Sequence, residues 1–211
     1  MPVKVKICGI TNSADAEAAV SAGADALGFI FCESSPRFIL PEEAARICAA
    51  VPPFVLKVGV FVDASEEIIV GALSQCGLNL LQFHGNETPE FCRQFGAMSM
   101  KAFRIKDASS LNALPAFATD AWLLDTYSAN KAGGTGETFN WDLAIEAGKL
   151  GRPIFLAGGL NPGNVGEAIA RVQPFGVDVS SGVEASPGKK DHSKIRAFIE
   201  AVRERSEVSS T

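Results

Sequence analysis

The feature that most limits what this chain can fold into is an eightfold alternation. Eight short apolar runs recur, and stretches with helical patterning lie between them. The runs are Val3 to Cys8, Ala26 to Phe31, Lys57 to Val62, Leu80 to His84, Met100 to Ile105, Ala121 to Thr126, Pro153 to Gly158 and Phe175 to Ser181. LGFIF and KVGVFV are hydrophobic almost without interruption, the pattern of parallel strands covered on both faces. Among the helical stretches, Asn12 or Ser13 can cap an Ala-rich helix that ends at Gly23. Pro41 opens PEEAARICAAV, with proline in the first turn and acids near the positive end of the dipole. Ser65 starts another helix ending near Gly77, and Pro89 begins a short one. Ser109 to Phe117 is interrupted by Pro115, whose ring and missing N–H disfavour a regular helix. Asp142 to Leu150, Asn164 to Val172 and Asp191 to Arg205 complete the set.

Strand–helix alternation implies right-handed βαβ units and a parallel sheet. Eight such units in 211 residues predict an α/β chain closed into a (β/α)8 TIM barrel, a single domain over residues 1–211. The competing open, doubly wound sheet would carry G-x-G-x-x-G after its first strand if it bound a dinucleotide. The turn here reads CGITNS.

Strand starts are separated by about 20 to 23 residues for most units, but the second and sixth steps are about 31. Something is inserted after strand 2 and after strand 6, at the end of a barrel where active sites are built. The inserts are FCESSPRF, around Arg37, and SANKAGGTGETF, around Gly133 to Gly136. The second is long and Gly-rich, which suits a mobile lid, although idle loop variation is the competing reading.

Composition narrows the function. The formal net charge of −5, from 24 acidic and 19 basic residues, argues against a broad nucleic-acid surface. A small anionic substrate stays compatible, because local donors bind phosphate on an acidic protein. The five cysteines (Cys8, Cys32, Cys48, Cys76 and Cys92) form no C-x-x-C pair, so no metal site is expected. No apolar run reaches the ~20 residues of a membrane span. The start MPVKVKICGIT lacks the apolar stretch of a signal peptide, so reduced thiols in a cytoplasmic protein without a membrane partner are expected.

Candidate site residues sit at the C-terminal ends of the strands. Cys8 ends strand 1; it reads as a small buried hydrophobe or, from its place at the barrel mouth, as a catalytic group. Asp125 ends strand 6 in WLLDT. Partial burial would raise its pKa and let it donate a proton near neutral pH, with a cap or loop hydrogen bond as the alternative. Gly158 and Gly159 after strand 7, and Ser181 and Gly182 after strand 8, form the loops that usually hold phosphate in a barrel. Arg37, beside Pro36, suits bidentate carboxylate recognition or is merely solvated. His84 reads equally as a polar strand end or a substrate contact. By the strand period of two, Lys6 shares a face with Cys8, and Asp178 with Ser180. Strands 1 and 8 adjoin on closure, so a buried Lys6–Asp178 pair is expected.

Taken in order, KICGIT, SPRF, VGVF, LQFHG, the strand-6 Asp, GGTG, LAGGL and GVDVSSGVE resemble the phosphoribosylanthranilate isomerase family of tryptophan biosynthesis. The resemblance runs from strand 1 to the last helix. It implies an Amadori rearrangement of phosphoribosylanthranilate, a small-molecule substrate, with no cofactor, by a monomer or homodimer. It implies Cys8 as general base and Asp125 as general acid. It places phosphate at Gly158, Gly159, Ser181 and Gly182, and the anthranilate carboxylate at Arg37. The related histidine-pathway isomerase, which acts on a substrate with two phosphates, is the nearest competing family. It has an Asp where strand 1 here ends in Cys8, and a second phosphate site where this chain reads VDASEE. A dual-substrate enzyme and a non-catalytic sugar-phosphate-binding barrel compete with the isomerase reading as well.

Overall fold

The computed structural model describes residues 2–126 and 141–208. The Gly-rich insert singled out after strand 6 lies outside the described residues. Eight parallel strands close into a barrel in sequence order: β1 (Lys4–Cys8), β2 (Ala26–Ile30), β3 (Leu56–Phe61), β4 (Leu80–Phe83), β5 (Met98–Ile105), β6 (Ala121–Thr126), β7 (Ile154–Leu156) and β8 (Gly176–Val179). The seam is β8 against β1, with Lys4 opposite Gly176 and Lys6 opposite Asp178. Each apolar run becomes a strand, with ends shifted by no more than two residues.

Helices α1 (Ser13–Ala22), α2 (Pro41–Ala50), α3 (Glu66–Cys76), α4 (Pro89–Arg93), α5 (Trp141–Gly148), α6 (Val165–Val172) and α7 (His192–Val208) alternate with the strands. Their ends follow local chemistry. The Asn12 side chain accepts from Asp15 N and caps α1, which stops at Gly23 in the left-handed region at φ 99°. Ser65 caps α3 and Thr88 caps α4 in the same way. Around Pro115 the chain makes a 3-10 helix (Ala108–Ala116) between β5 and β6. That tighter winding replaces an α-helix where proline removes a donor.

Two apolar layers result. The larger fills the space between strands and helices, with Ile7, Leu27, Phe29, Phe61, Leu81, Phe83, Trp122 and Phe198 among its buried members. The smaller lies inside the barrel and contains Met100, Ala102, Ala121, Leu123 and Ala157, with Leu80 and Phe155 against it. Strand parity then carries the inward face up to the mouth: Leu80, Gln82 and His84 on one side, Ala121, Leu123 and Asp125 on another. Beyond β8 the chain forms a short 3-10 turn (Ser181–Val183) and a hairpin, β9 (Glu184–Ser186) with β10 (Lys189–Lys190), that the sequence pattern does not anticipate. Arg203 of α7 ties the end of the chain to its start through Val3 O, Gly23 O and Asp25.

Candidate active site

At the C-terminal end of the strands the mouth opens into a cavity of about 430 Å³. Cys8, Arg37, His84, Asp125, Gly158, Gly159, Ser181 and Gly182 all line it. The structure therefore brings together every candidate residue picked from the sequence. Gln82, Asp178 and Ser180 also line the cavity and were not among those candidates as site residues.

Cys8 is buried on the inward face of β1. Burial pushes its thiol up, Lys6 pulls it back down, and the charge of Asp178 adds to the rise. Lys6 itself is fully buried, and its Nζ lies 2.8 Å from Asp178 Oδ1, so the pair expected from parity is present. Burial lowers the Lys6 ammonium, but Asp178 and Cys8 outweigh that and hold it above its ordinary value. The sulfur thus sits beside a cation whose own charge is partly neutralised. Space for this arrangement comes from β2. Gly28 stands opposite Cys8 in register, and a Cβ there would come within 2.8 Å of Cys8 Sγ and 3.0 Å of Lys6 Nζ.

Asp125 ends the inward face of β6, and its side chain is 29% exposed toward the cavity. His84 Nε2 lies 3.4 Å from Asp125 Oδ2, and His84 Nδ1 lies 3.0 Å from Gln82 Nε2. The turn that carries His84 is fixed from below. Buried Lys101 of β5 donates to Gly85 O at 2.7 Å and pairs with buried Glu87 at 3.0 Å, and Glu87 accepts from the backbone of Gly85 and Asp63.

Arg37 is held by a carboxylate of its own chain. Its Nε and Nη2 donate to the two oxygens of Glu184, each at 2.7 Å. Glu184 also accepts from buried Lys190 Nζ at 2.9 Å. Burial alone would raise the Glu184 carboxyl, yet the bonds from Arg37 and Lys190 hold it below its usual value. The solvated loop Arg is thus replaced by a clamped one. Gly9, at φ 78°, permits the approach, since a Cβ there would lie 2.6 Å from Arg37 Cδ. Sequence reasoning missed Glu184 and Lys190 because Glu184 lies 147 residues from Arg37, and both partners sit on a hairpin without a strand-like pattern.

The glycine loops after β7 and β8 form another part of the cavity wall. Gly158 and Gly159 both adopt positive φ, at 80° and 68°. Asn164 Nδ2 donates to Gly159 O at 3.0 Å, and Asn164 Oδ1 accepts from Asn161 N at 2.8 Å, so the loop after β7 is shaped by side chains of its own helix start. A Cβ on Gly182 would overlap the Leu160 carbonyl, so the two loops approach closely only with glycine at that position. Backbone amides at such a place favour an anion. Among the described residues no group of three or more His, Cys, Asp or Glu side chains is arranged to hold a metal ion. Nor is any described helix long and apolar enough to cross a membrane.

Comparison with known proteins places this geometry in context. A family model described as N-(5'phosphoribosyl)anthranilate (PRA) isomerase matches residues 5–201. An N-(5'-phosphoribosyl)anthranilate isomerase of Trichlorobacter lovleyi is 52% identical over 202 residues, 96% of this chain and 98% of that one. The crystal structure of phosphoribosyl anthranilate isomerase from Thermotoga maritima superposes with a TM-score of 0.88 at 46% identity, covering 96% of this chain and 99% of the other. A structure of such an isomerase in complex with reduced 1-(o-carboxyphenylamino)-1-deoxyribulose 5-phosphate superposes with a TM-score of 0.85 at 44% identity, again over 96% and 99% of the two chains.

Proposed function

The chain belongs to the N-(5'-phosphoribosyl)anthranilate isomerase family, and from that premise we propose how its own residues perform the reaction. It is the isomerase of tryptophan biosynthesis that converts N-(5'-phosphoribosyl)anthranilate into 1-(2-carboxyphenylamino)-1-deoxyribulose 5-phosphate. The observation that carries the assignment of roles is one cavity holding Cys8 and Asp125 on separate strand ends, with the glycine loops on its wall.

Asp125 is the general acid. It gives its proton to the furanose ring oxygen, the C–O bond breaks, and the anilino nitrogen's lone pair forms the iminium. Cys8 is the general base and removes the proton from C2, which leaves a neutral enolamine. Moving the enol proton to C1 gives the aminoketose. One proton enters at the ring oxygen and one leaves from C2, so the isomerisation balances. Lys6 is the cation placed to support negative charge on Cys8 sulfur. Backbone amides around Gly158, Gly159, Ser181 and Gly182 hold the phosphate. Arg37 presents its remaining donors to the anthranilate carboxylate, and Glu184 keeps the guanidinium in place. None of these steps draws on a metal or a cofactor. Every group named lies in one chain, so the chemistry is the same in a monomer or a homodimer. A cytoplasmic location fits the unpaired thiols of all five cysteines.

A turnover assay that follows the anthranilate fluorophore tests the reading. Conversion of the substrate by the purified chain, lost in both Cys8→Ser and Asp125→Asn, is expected. Tight binding of the product analogue without turnover would make this a sugar-phosphate-binding barrel instead.

A further inference from the structure

We infer that Gln82 is a positioning residue: its buried amide fixes His84 in the tautomer that carries the proton on Nε2, and so makes His84 a donor to Asp125. The inference rests on the reading of Asp125 as the general acid. Gln82 lies on the inward face of β4, two residues before His84, and is 1% exposed. Its Nε2 is 3.0 Å from His84 Nδ1, and its Oε1 has no hydrogen-bond partner among the described residues.

A neutral imidazole has one donor nitrogen and one acceptor nitrogen, and the bond made by one decides the role of the other. An amide N–H aimed at Nδ1 requires Nδ1 to be the acceptor, so the proton sits on Nε2. That nitrogen faces Asp125 Oδ2 at 3.4 Å. Such a contact is long, and catalytic hydrogen bonds tighten when the substrate complex forms. Turning the Gln82 amide over would bury both its N–H groups without a partner in place of a lone carbonyl, and unpaired N–H groups are the rarer burial. It would also set the bare Nε2 lone pair against a carboxylate oxygen. His84 in the Nε2–H form holds the carboxyl of Asp125 in one orientation and stabilises the negative charge left there once its proton has moved to the ring oxygen. The turn beyond His84 is pinned by Lys101 and Glu87, so the ring has a fixed base on which one amide can act.

The chain contains two histidines, His84 and His192, which makes the tautomer directly readable. In the chain labelled with 15N-histidine, two-bond proton–nitrogen correlations at about pH 8.5 to 9 report which nitrogen carries the proton. His192→Asn assigns the second set of signals. For wild type the expected result is a protonated Nε2 and a bare Nδ1 at His84; a protonated Nδ1 overturns the inference without any variant. In Gln82→Leu the two tautomers should mix or invert. Its kcat should fall tenfold or more, short of the roughly 10²- to 10⁴-fold that a general acid supplies. KM should stay within about twofold, because the Gln82 amide nitrogen is engaged by His84 Nδ1 and acts through that ring. Gln82→Leu that folds and retains both the wild-type tautomer and the wild-type kcat overturns the inference, as does a shifted tautomer with unchanged kcat. Asp125→Asn separates this from the reading beneath it. A folded, fully active Asp125→Asn removes the acid assignment, whatever proton position His84 shows.

Discussion

Lys6 and Asp178 meet across the seam that closes the barrel, Nζ to Oδ1 at 2.8 Å, both shielded from solvent. Asp178→Asn leaves the Lys6 ammonium buried without its counter-charge, which is expected to cost about 3–5 kcal/mol of folding stability. Replacing both partners, as in Lys6→Met with Asp178→Leu, should recover much of that, since no charge then remains to be desolvated. Urea unfolding of the parent chain and the two variants checks this. A double variant no more stable than Asp178→Asn would mean that the pair shapes the seam by more than its charges.

Cys8→Ser should reduce kcat by roughly 10²- to 10⁴-fold, the range a positioned general base supplies, with little change in KM. A serine hydroxyl ionises far less readily than a thiol. Gly28→Ala should also depress kcat, because its methyl would press on both Cys8 Sγ and Lys6 Nζ. Steady-state kinetics on folded enzyme decide both cases. A Cys8→Ser enzyme with near wild-type kcat removes sulfur from the proton transfer.

Arg37→Met should lower kcat/KM by roughly 10- to 150-fold, the equivalent of a charge-assisted bidentate contact of about 1.5 to 3 kcal/mol. The same change frees Glu184 from one of its two cations, so part of the loss can come from the hairpin. A substrate analogue built from aniline, which lacks the carboxylate, separates the effects. The mutation should cost little with the analogue if Arg37 reads that group. Equal losses on both substrates would show that Arg37 only shapes the loop.

Acid should loosen the molecule through Glu184 and Asp25. Burial raises both carboxyls, but bonds from Arg37 and Lys190 in one case, and from Val5 N, Lys4 and Arg203 in the other, hold them below their ordinary values. A carboxyl depressed in the folded state contributes stability that is complete above the unfolded value, about 4. It is lost as pH falls through the lower folded value. Denaturant midpoints followed from about pH 5 to 3 should therefore drop less steeply for Glu184→Gln than for the parent chain. Parallel curves would place the acid sensitivity elsewhere.

The barrel was legible in the sequence because its signals are local and repeated. Near-continuous apolar runs such as LGFIF mark strands covered on both faces, and Asn12, Gly23, Pro41 and Ser65 mark helix ends at the residues where they occur. Strand parity was enough to foresee the Lys6–Asp178 pair, since closure supplies the one missing neighbour. The Arg37–Glu184–Lys190 cluster was not legible, because nothing near SPRF states which distant acid will face it. Gln82 was within reach but not singled out: a polar residue at an inward position of LLQF is out of place in a barrel interior unless it has a partner there. The β9–β10 hairpin, three residues against two, is too short to carry any period.

The seam between β1 and β8 also sets an order of assembly during synthesis. The chain emerges from the ribosome with Lys6 early, and the aspartate that neutralises it follows 172 residues later. Until β8 has been made, β1 offers an open edge and an ammonium that no fold of the emerged portion can comfortably bury. The strand carrying Cys8 therefore locks into place only once β8 has been made. The nascent chain up to that point is a set of βα units whose first strand is paired on its β2 edge only, the kind of intermediate that chaperones shield.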